Sequence, residues 1–394
     1  MAQHLFILPW LTLKQPIFVG GFWFKPISAG NAVGLVGADM GPTVQKLLGS
    51  YIDLKGQPVD GCTLVLRRNH PLAWDIPPSI WRKLHRALDI LMLSHLSEQR
   101  FYEQFSPHMN ATMFQAVGHG VSANSDHLSL HQRRRGMSLL HGGLRYQDVR
   151  FQQPSQINQT ECGPFNNRLA KALTLVHSSD PELWERIESA LEFFKLAHSE
   201  DPQRDWSEAC MLAAMSFEKL LGTPANAHEL SEELAKIFSP YAGVLVQDAK
   251  RVNADPSPKD ASMQRTWRLR QKWIKELYEL RSALAHKGPN PKRSINWSAE
   301  QHIVIAAFVF ALAVKLLLVE RSLYALSNEE KGACDAVDKL LDCDWGRGWR
   351  KPPEWPSILS HEEQMRGIRA AIERALRKAE ANSGASDNSA SCLT

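Results

Sequence analysis

One uninterrupted apolar run limits the folds open to this chain more than any other feature. Residues 303–319 have the sequence IVIAAFVFALAVKLLLV, in which Lys315 is the one charged residue. As a helix the run would be about 25 Å long at ~1.5 Å per residue, which is short for a membrane span of about 20 apolar residues. We therefore expect a helix buried on all sides at the centre of a soluble bundle, with no membrane association.

The composition is that of a globular protein whose overall charge is too small to hold nucleic acid by itself. The 394 residues are 44% hydrophobic and 22% charged, and the net charge is +4. This length favours two or three domains. The opening MAQHLFILPWLTLK lacks the basic start and cleavage site of a signal peptide, and the six cysteines are scattered without metal-ligand spacing. We expect a cytoplasmic protein that uses no metal and no cofactor.

The first part of the chain, residues 1–165, has the pattern of a mixed α/β domain. A helical pattern at 78–97 is surrounded by β-like runs bounded by Gly, Pro or Asn. Those runs lie at 15–24, 61–68, 111–118 and 144–152. We expect this domain to sense a signal or recruit a partner.

The second part, residues 168–325, is almost purely helical and predicts an all-α bundle, so that the overall fold class is α+β. One helix should begin at Asp180, which precedes Pro181 as a typical N-cap. Another should begin at Asp205 and end at Gly222 after an apolar stripe. Residues 326–380 form an expected C-terminal extension that contains an amphipathic helix. Residues 381–394 have the composition of a disordered tail.

Two helices of the predicted bundle each carry a charge without a local partner. Arg281 has no acidic residue three or four positions away, and Glu218 has no basic residue at those positions. A charge buried alone is very unfavourable. We therefore predict that Glu218 and Arg281 pair across the bundle, with the carboxylate orienting the guanidinium.

His286 follows Arg281 by five residues, in the last turn of the same helix. The two residues are roughly 140° apart on a regular helix, but Gly288, Pro289 and Pro291 should end the helix near Lys287. The helix C-terminus favours a protonated imidazole while a nearby Arg disfavours it, so His286 is suited to general acid or base chemistry near neutral pH. The alternative is that both residues only complement the helix dipole.

The surrounding segment is strongly basic. Residues 259–293 contain ten Lys or Arg residues against three acidic residues, a net charge of +7 that exceeds that of the whole chain. Such a rim suits a phosphodiester backbone, although a solvated helix face can be equally basic. The candidate RNA-binding residues here are Arg270, Lys287, Lys292 and Arg293. A second basic run supplies Arg133, Arg134 and Arg135, for which a solvated loop is the alternative.

The segment LYELRSALAHKG (277–288) resembles the R-x4-6-H motif of HEPN domains, with Arg281 and His286 in the motif positions. Residues 189–222 are similar to the opening of the Apea-like HEPN group. They include its Phe-Glu-x-Leu-Leu element, which begins at Phe217 and Glu218. The resemblance covers roughly residues 184–325.

The resemblance implies a HEPN helical bundle that forms a homodimer, with the motif helices facing each other. It implies a metal-independent endoribonuclease that acts in prokaryotic anti-phage or toxin-type defence. A phage-derived or protein trigger would activate it. In that scheme His286 moves the proton, Arg281 stabilises charge on the phosphate, and Glu218 holds Arg281. The alternative is a catalytically inactive HEPN scaffold that binds nucleic acid, nucleotide or a protein partner.

Overall fold

The structure is a computed structural model of the chain. It describes residues 3–68, 72–73, 76–98, 110–123, 125–134, 137–155, 157, 164–199, 201, 204–223, 226–253, 265–287, 296–345 and 353–387. Within these, the backbone alone is described for residues 72–73, 129–134, 137–142, 285–287 and 381–387.

The chain divides into two compact units, Met1–Ser216 and Phe217–Thr394. The α+β class expected from the sequence is confirmed, because the described strands all precede residue 153 and the described residues that follow are mainly helical. The division lies some 50 residues beyond the expected boundary at 165–168. Two helices assigned by sequence to the bundle, Asn167–Ser179 and Pro181–Ala197, instead pack within the first unit.

An eight-stranded antiparallel sheet forms the centre of the first unit. Seven strands run in the order β2-β3-β5-β1-β7-β8-β9, and β6 pairs with β1 beside them. The strands are β1 (Gln3–Leu8), β2 (Ile17–Val19), β3 (Phe22–Ile27), β4 (Tyr51–Ile52), β5 (Cys62–Arg67), β6 (Leu72–Ala73), β7 (Val117–Val121), β8 (His127–Arg134), β9 (Met137–Arg145) and β10 (Phe151–Gln152). Strands β4 and β10 form a separate parallel pair.

Helices cover both faces of this sheet. The helices of the first unit are α1 (Ala32–Val36), α2 (Gly41–Leu48), α3 (Pro78–Leu96), α4 (Asn167–Ser179), α5 (Pro181–Ala197) and most of α6 (Trp206–Leu221). Leu5 and Ile7 of β1 face a core that includes Val44 and Leu47 of α2. The alternate residue Phe6 packs edge-to-face against Trp81 of α3, with ring centroids 5.1 Å apart. Because successive side chains of β1 point to opposite faces of the sheet and are apolar on both, helices must pack against each face.

Several predicted elements of the first unit are confirmed. The run at 15–24 was expected as one strand but is two, β2 and β3, joined at Gly20 and Gly21, whose φ values of 58° and 87° suit glycine. The run at 61–68 is β5, and the helix at 78–97 is α3. The cap of α5 is also as expected, since Asp180 accepts a hydrogen bond from the Leu183 amide at 3.0 Å.

The strands expected at 111–118 and 144–152 are only partly correct. Whether a segment forms a strand depends on the strand it pairs with, which local composition does not reveal. Residues 111–114 form a 3₁₀ turn before β7, and residues 146–148 form another between β9 and β10. The glycine-containing segments at 118–120 and 141–145 lie in strands β7 and β9. At Gly118 a Cβ would lie 2.7 Å from Phe6, so this strand position has no room for a side chain.

His119 in β7 has a structural role in the core. Its Nε2 lies 2.6 Å from the Tyr51 hydroxyl, and burial lowers the pKa of the imidazole to about 3. His119 is therefore neutral at physiological pH, and its pairing with Tyr51 accounts for one of its two ring nitrogens.

The described elements of the second unit are helices, together with one isolated β-bridge between Leu245 and Arg268. After the last residues of α6, its helices are α7 (Ala227–Ile237), α8 (Leu269–Lys287), α9 (Ala299–Glu320), α10 (Asn328–Leu341) and α11 (Trp355–Asp387). The expected bundle helices α7, α8 and α9 all exist, and α8 ends at Lys287 as the following Gly and Pro residues predict.

Helix α9 contains the apolar run and is the core helix of this unit. It is long and apolar enough to cross a membrane, but 94% of its most apolar 18-residue window is buried inside the fold. Lys315 lies in its interior, where its ammonium meets the Glu330 carboxylate of α10 at 2.9 Å. A buried cation paired within the fold agrees with the expected bundle helix.

The C-terminal extension expected at 326–380 is an integral part of the second unit. Helix α10 lies against α8, α9 and α11, and Trp355 at the start of α11 packs on Trp345 with ring centroids 5.4 Å apart. The expectation of a disordered tail from residue 381 is wrong for residues 381–387. There α11 continues without a break, because extending an established helix adds a hydrogen bond for each residue fixed.

Candidate functional site

The end of α6 is placed in the second unit by one buried aromatic residue. The Phe217 ring meets Trp273 of α8 and Phe310 of α9 edge-to-face, each with centroids 5.6 Å apart. All three side chains are wholly buried. Because Glu218 follows directly, this aromatic cluster determines where its carboxylate lies relative to α8.

The predicted pairing of Glu218 with Arg281 is confirmed. Arg281 Nε lies 3.3 Å from Glu218 Oε1, and the two side chains are 22% and 12% exposed. The angle at this contact does not make a directed hydrogen bond, and Oε1 has no hydrogen-bond partner among the described residues. The two charges therefore interact mainly by Coulomb attraction in a partly desolvated setting.

Burial controls the protonation of this carboxylate. Desolvation raises the pKa of Glu218 above its usual value, while Arg281, followed by Lys219, acts in the opposite direction. Glu218 is thus a carboxylate whose charge depends on the guanidinium beside it. Removing Arg281 would leave its negative charge with little compensation.

The Arg281 guanidinium is oriented from a second side. It lies over the ring of Tyr278, one turn earlier on α8, with 5.4 Å from Cζ to the ring centroid. The two terminal nitrogens of Arg281 make no hydrogen bond to any residue in the described ranges. A guanidinium held through its Nε and its face in this way can present its terminal donors to an anion.

Several predicted site residues lie at or beyond the edge of the described part of the chain. The backbone of His286 and Lys287 lies in the last turn of α8, as expected, and their side chains are outside the described part. Lys292 and Arg293 lie wholly outside the described residues. The rise of ~1.5 Å per residue separates Arg281 and His286 by about 7.5 Å along the helix axis.

The assignment of Arg270 to RNA binding is wrong. Its side chain is wholly buried, and its Nε donates to Asp338 of α10 at 2.8 Å. Its terminal nitrogens donate to the carbonyl oxygens of Phe238 and Ala242. A guanidinium without solvent access whose donors are already engaged cannot contact a phosphate, so Arg270 is a structural residue.

Two lysines of this segment are paired along α8 and largely buried. Lys272 lies 3.2 Å from Glu276, and Lys275 lies 3.4 Å from Glu279. The net charge of +7 already includes these acids, but the exposed basic surface of the helix is smaller than that number suggests, because Arg270, Lys272 and Lys275 are buried. The remaining candidates for a basic rim are at and beyond the end of α8.

The second basic run is not the loop that its composition suggested. The backbones of Arg133 and Arg134 belong to β8, where they pair with Ser138 and Met137 of β9. Their side chains and the whole of Arg135 lie outside the described part. These arginines fall in the first unit, whereas Glu218 and Arg281 fall in the second.

The described residues contain no group of three or more His, Cys, Asp or Glu side chains placed to hold a metal ion. No protein-family model, curated protein or solved structure matches this chain.

Proposed function

We propose that the second unit is a HEPN-type endoribonuclease that cleaves RNA without a metal ion. The observation that carries this proposal is the Arg281–Glu218 pair at 3.3 Å, formed between residues 63 positions apart in sequence. The pair lies little more than one turn before the His286 position at the end of α8. A guanidinium, the carboxylate that positions it and an imidazole are the groups needed to catalyse attack by the RNA's own 2′-hydroxyl.

The chemistry uses the ribose 2′-hydroxyl as the nucleophile. Its oxygen attacks the adjacent phosphorus, the bond from phosphorus to the 5′-oxygen breaks, and the products are a 2′,3′-cyclic phosphate and a 5′-hydroxyl. One imidazole accepts the proton of the 2′-hydroxyl, and an acid returns a proton to the leaving 5′-oxygen. Arg281 stabilises the negative charge that grows on the phosphate oxygens.

We propose that the site is composite and that two copies of the chain supply it. A single His286 would have to act as both base and acid, whereas two copies provide one imidazole for each proton. A trigger of phage or protein origin would act through the first unit. Glu218 contributes as a positioning residue, because it meets Arg281 and not the substrate.

Purified full-length chain incubated with RNA in the presence of a chelator tests this proposal. Wild type should cleave RNA, and Arg281→Ala with His286→Ala should not. A substrate with a 2′-deoxyribose at the cleaved position should resist, since it has no internal nucleophile. The matched control is Arg377→Ala with His361→Ala, which removes the same residue types from exposed positions on α11.

The control variant should cleave like wild type. Cleavage that survives in the Arg281 and His286 variant, or cleavage of the 2′-deoxy substrate, would overturn the assignment. A catalytically inactive scaffold would show no difference among the three proteins. Growth of cells that express each protein provides a second readout, since an active ribonuclease should slow growth and the double variant should not.

A further inference from the structure

A cavity of about 650 Å³ lies in the first unit, beside the hairpin of β8 and β9. Its volume falls within the range of roughly 300–1,000 Å³ that small-molecule sites occupy. Residues of α2, of the start of β8 with Asp126 just before it, and of the end of β9 and the segment after it line the cavity: Lys46, Asp126, His127, Arg145, Tyr146 and Arg150.

The charge of this cavity is positive. Lys46 forms an ion pair with Asp126, which offsets the one acidic side chain of the lining. Arg145 and Arg150 remain as cationic groups. A concave surface with this balance concentrates anions.

The arginines are held at the cavity in different ways. Arg145, the last residue of β9, pairs across the sheet with His127, the first residue of β8. Arg145 makes no hydrogen bond or ion pair with the residues that the structure describes. Arg150 donates through Nη1 to the carbonyl oxygens of Val149 at 2.9 Å and Tyr146 at 3.2 Å, which fixes the segment that follows the strand.

Tyr146 supplies a buried hydroxyl that has no hydrogen-bond partner among the described residues. The residue is only 5% exposed. Burial, with a smaller contribution from the nearby Asp126 charge, raises the pKa of this hydroxyl to about 12, so it is a neutral donor. This hydroxyl has essentially no accessible surface, because Tyr146 packs into the hydrophobic core, so it is not available to a ligand in the cavity.

We propose that this cavity binds a phosphate-bearing small molecule of mononucleotide size. Arg145 contacts the phosphate, and Arg150 adds positive charge beside it. The cavity is formed by residues of the first unit, whereas Glu218 and Arg281 belong to the second, and its existence does not depend on the proposed ribonuclease activity.

Isothermal titration calorimetry and thermal unfolding of the full-length chain test the proposal. The probes are inorganic phosphate, pyrophosphate and the four ribonucleoside 5′-monophosphates, with adenosine as the uncharged comparison. At least one phosphate-bearing probe should bind and raise the unfolding temperature, while adenosine should not. Arg145→Ala should weaken that binding roughly tenfold to a hundredfold, since it removes a charge-assisted hydrogen bond.

Two further variants separate a ligand site from a structural role. Arg82→Ala removes an arginine at an exposed position on α3 outside the cavity, and should bind like wild type. Arg281→Ala should bind normally even if the proposed ribonuclease activity is absent.

Absence of binding by all six phosphate-bearing probes at millimolar concentration would overturn the proposal. Unchanged binding in Arg145→Ala would do the same, because the anion would then sit elsewhere. Binding of a short RNA oligomer through Arg145 without binding of any mononucleotide would replace the small-molecule site with a nucleic-acid surface.

Discussion

Arg270 and Asp338 form a wholly buried ion pair in which Nε lies 2.8 Å from Oδ1. The pair joins the start of α8 to α10. Asp338 also accepts hydrogen bonds from the backbone amides of Val244 and Arg270 at 2.8 and 3.2 Å. One carboxylate thereby holds the segment before α8 and the first turn of that helix, so the orientation of α8 depends on a residue 68 positions away.

Asp338→Ala should destabilise the protein by about 3–5 kcal/mol, because it leaves the Arg270 charge buried without a partner. The free energy of unfolding from urea titration measures this. Replacing both residues, as Arg270→Met with Asp338→Leu, should recover part of the loss, since no charge then remains buried. A loss below about 1 kcal/mol for Asp338→Ala would show that the pair is solvated and not part of the core.

Gly243→Ala should also destabilise the protein, by about 1–3 kcal/mol. A Cβ at this position would lie 2.7 Å from both Asp338 Oδ2 and Arg268 Cδ, so the added methyl group has to displace the ion-pair network. Gly367→Ala is the matched control, because its Cβ would meet no atom within 4 Å and its position is helical. That control should be neutral or stabilising in the same urea titration. Equal effects of the two substitutions would contradict the close packing inferred at Gly243.

The Lys315–Glu330 pair should make stability depend on acid pH. Burial of the Glu330 carboxyl acts to raise its pKa, but Lys315, the Tyr324 hydroxyl and the Ser327 amide together lower it from 4.5 to about 2. A carboxyl whose pKa is lowered by folding contributes stability that is complete above about pH 4.5. That contribution, on the order of 3 kcal/mol, should be lost as the pH falls from 4.5 through 2.

Glu330→Gln should therefore be less stable than wild type at pH 7, with a difference that shrinks between pH 4.5 and pH 2. Urea unfolding at a series of pH values measures the difference. Glu363→Gln, at an exposed position on α11, should follow the wild-type curve. A constant difference between Glu330→Gln and wild type across this range would rule out the pH linkage.

Glu218→Gln should reduce RNA cleavage roughly tenfold to a hundredfold, if the proposed activity holds. The variant removes the charge that positions Arg281, a contribution of about 1.5–3 kcal/mol for an interaction with a charged group. Because Glu218 does not touch the substrate, kcat should fall with little change in KM. Glu218→Asp, which restores the charge, should recover part of kcat.

The control for this prediction is Glu233→Gln on α7. It removes a half-exposed carboxylate that pairs with Lys236 at the surface of the same unit. Its cleavage rate should equal that of wild type. A Glu218→Gln protein with wild-type kcat, or one that loses only stability, would show that the pair with Arg281 is structural.

Local patterns account for much of what could be predicted. Capping residues such as Asp180 and the apolar run of α9 determine structure through neighbours within a few positions. The pairing of Glu218 with Arg281 was also predictable, because each charge lacks a partner on its own helix and burial forces it to find one. The HEPN assignment and the ribonuclease activity stay proposals.

What the sequence determined by itself is therefore the existence of most helices, the α+β class and the need for certain charges to pair. Only the tertiary structure decided that Arg270 is buried against Asp338, that α4 and α5 join the first unit, and that Lys46 and Arg145 share a cavity. Periodicity and capping act over one or two helical turns. Burial and charge pairing depend on which distant segments pack together, and no pattern within one segment specifies that choice.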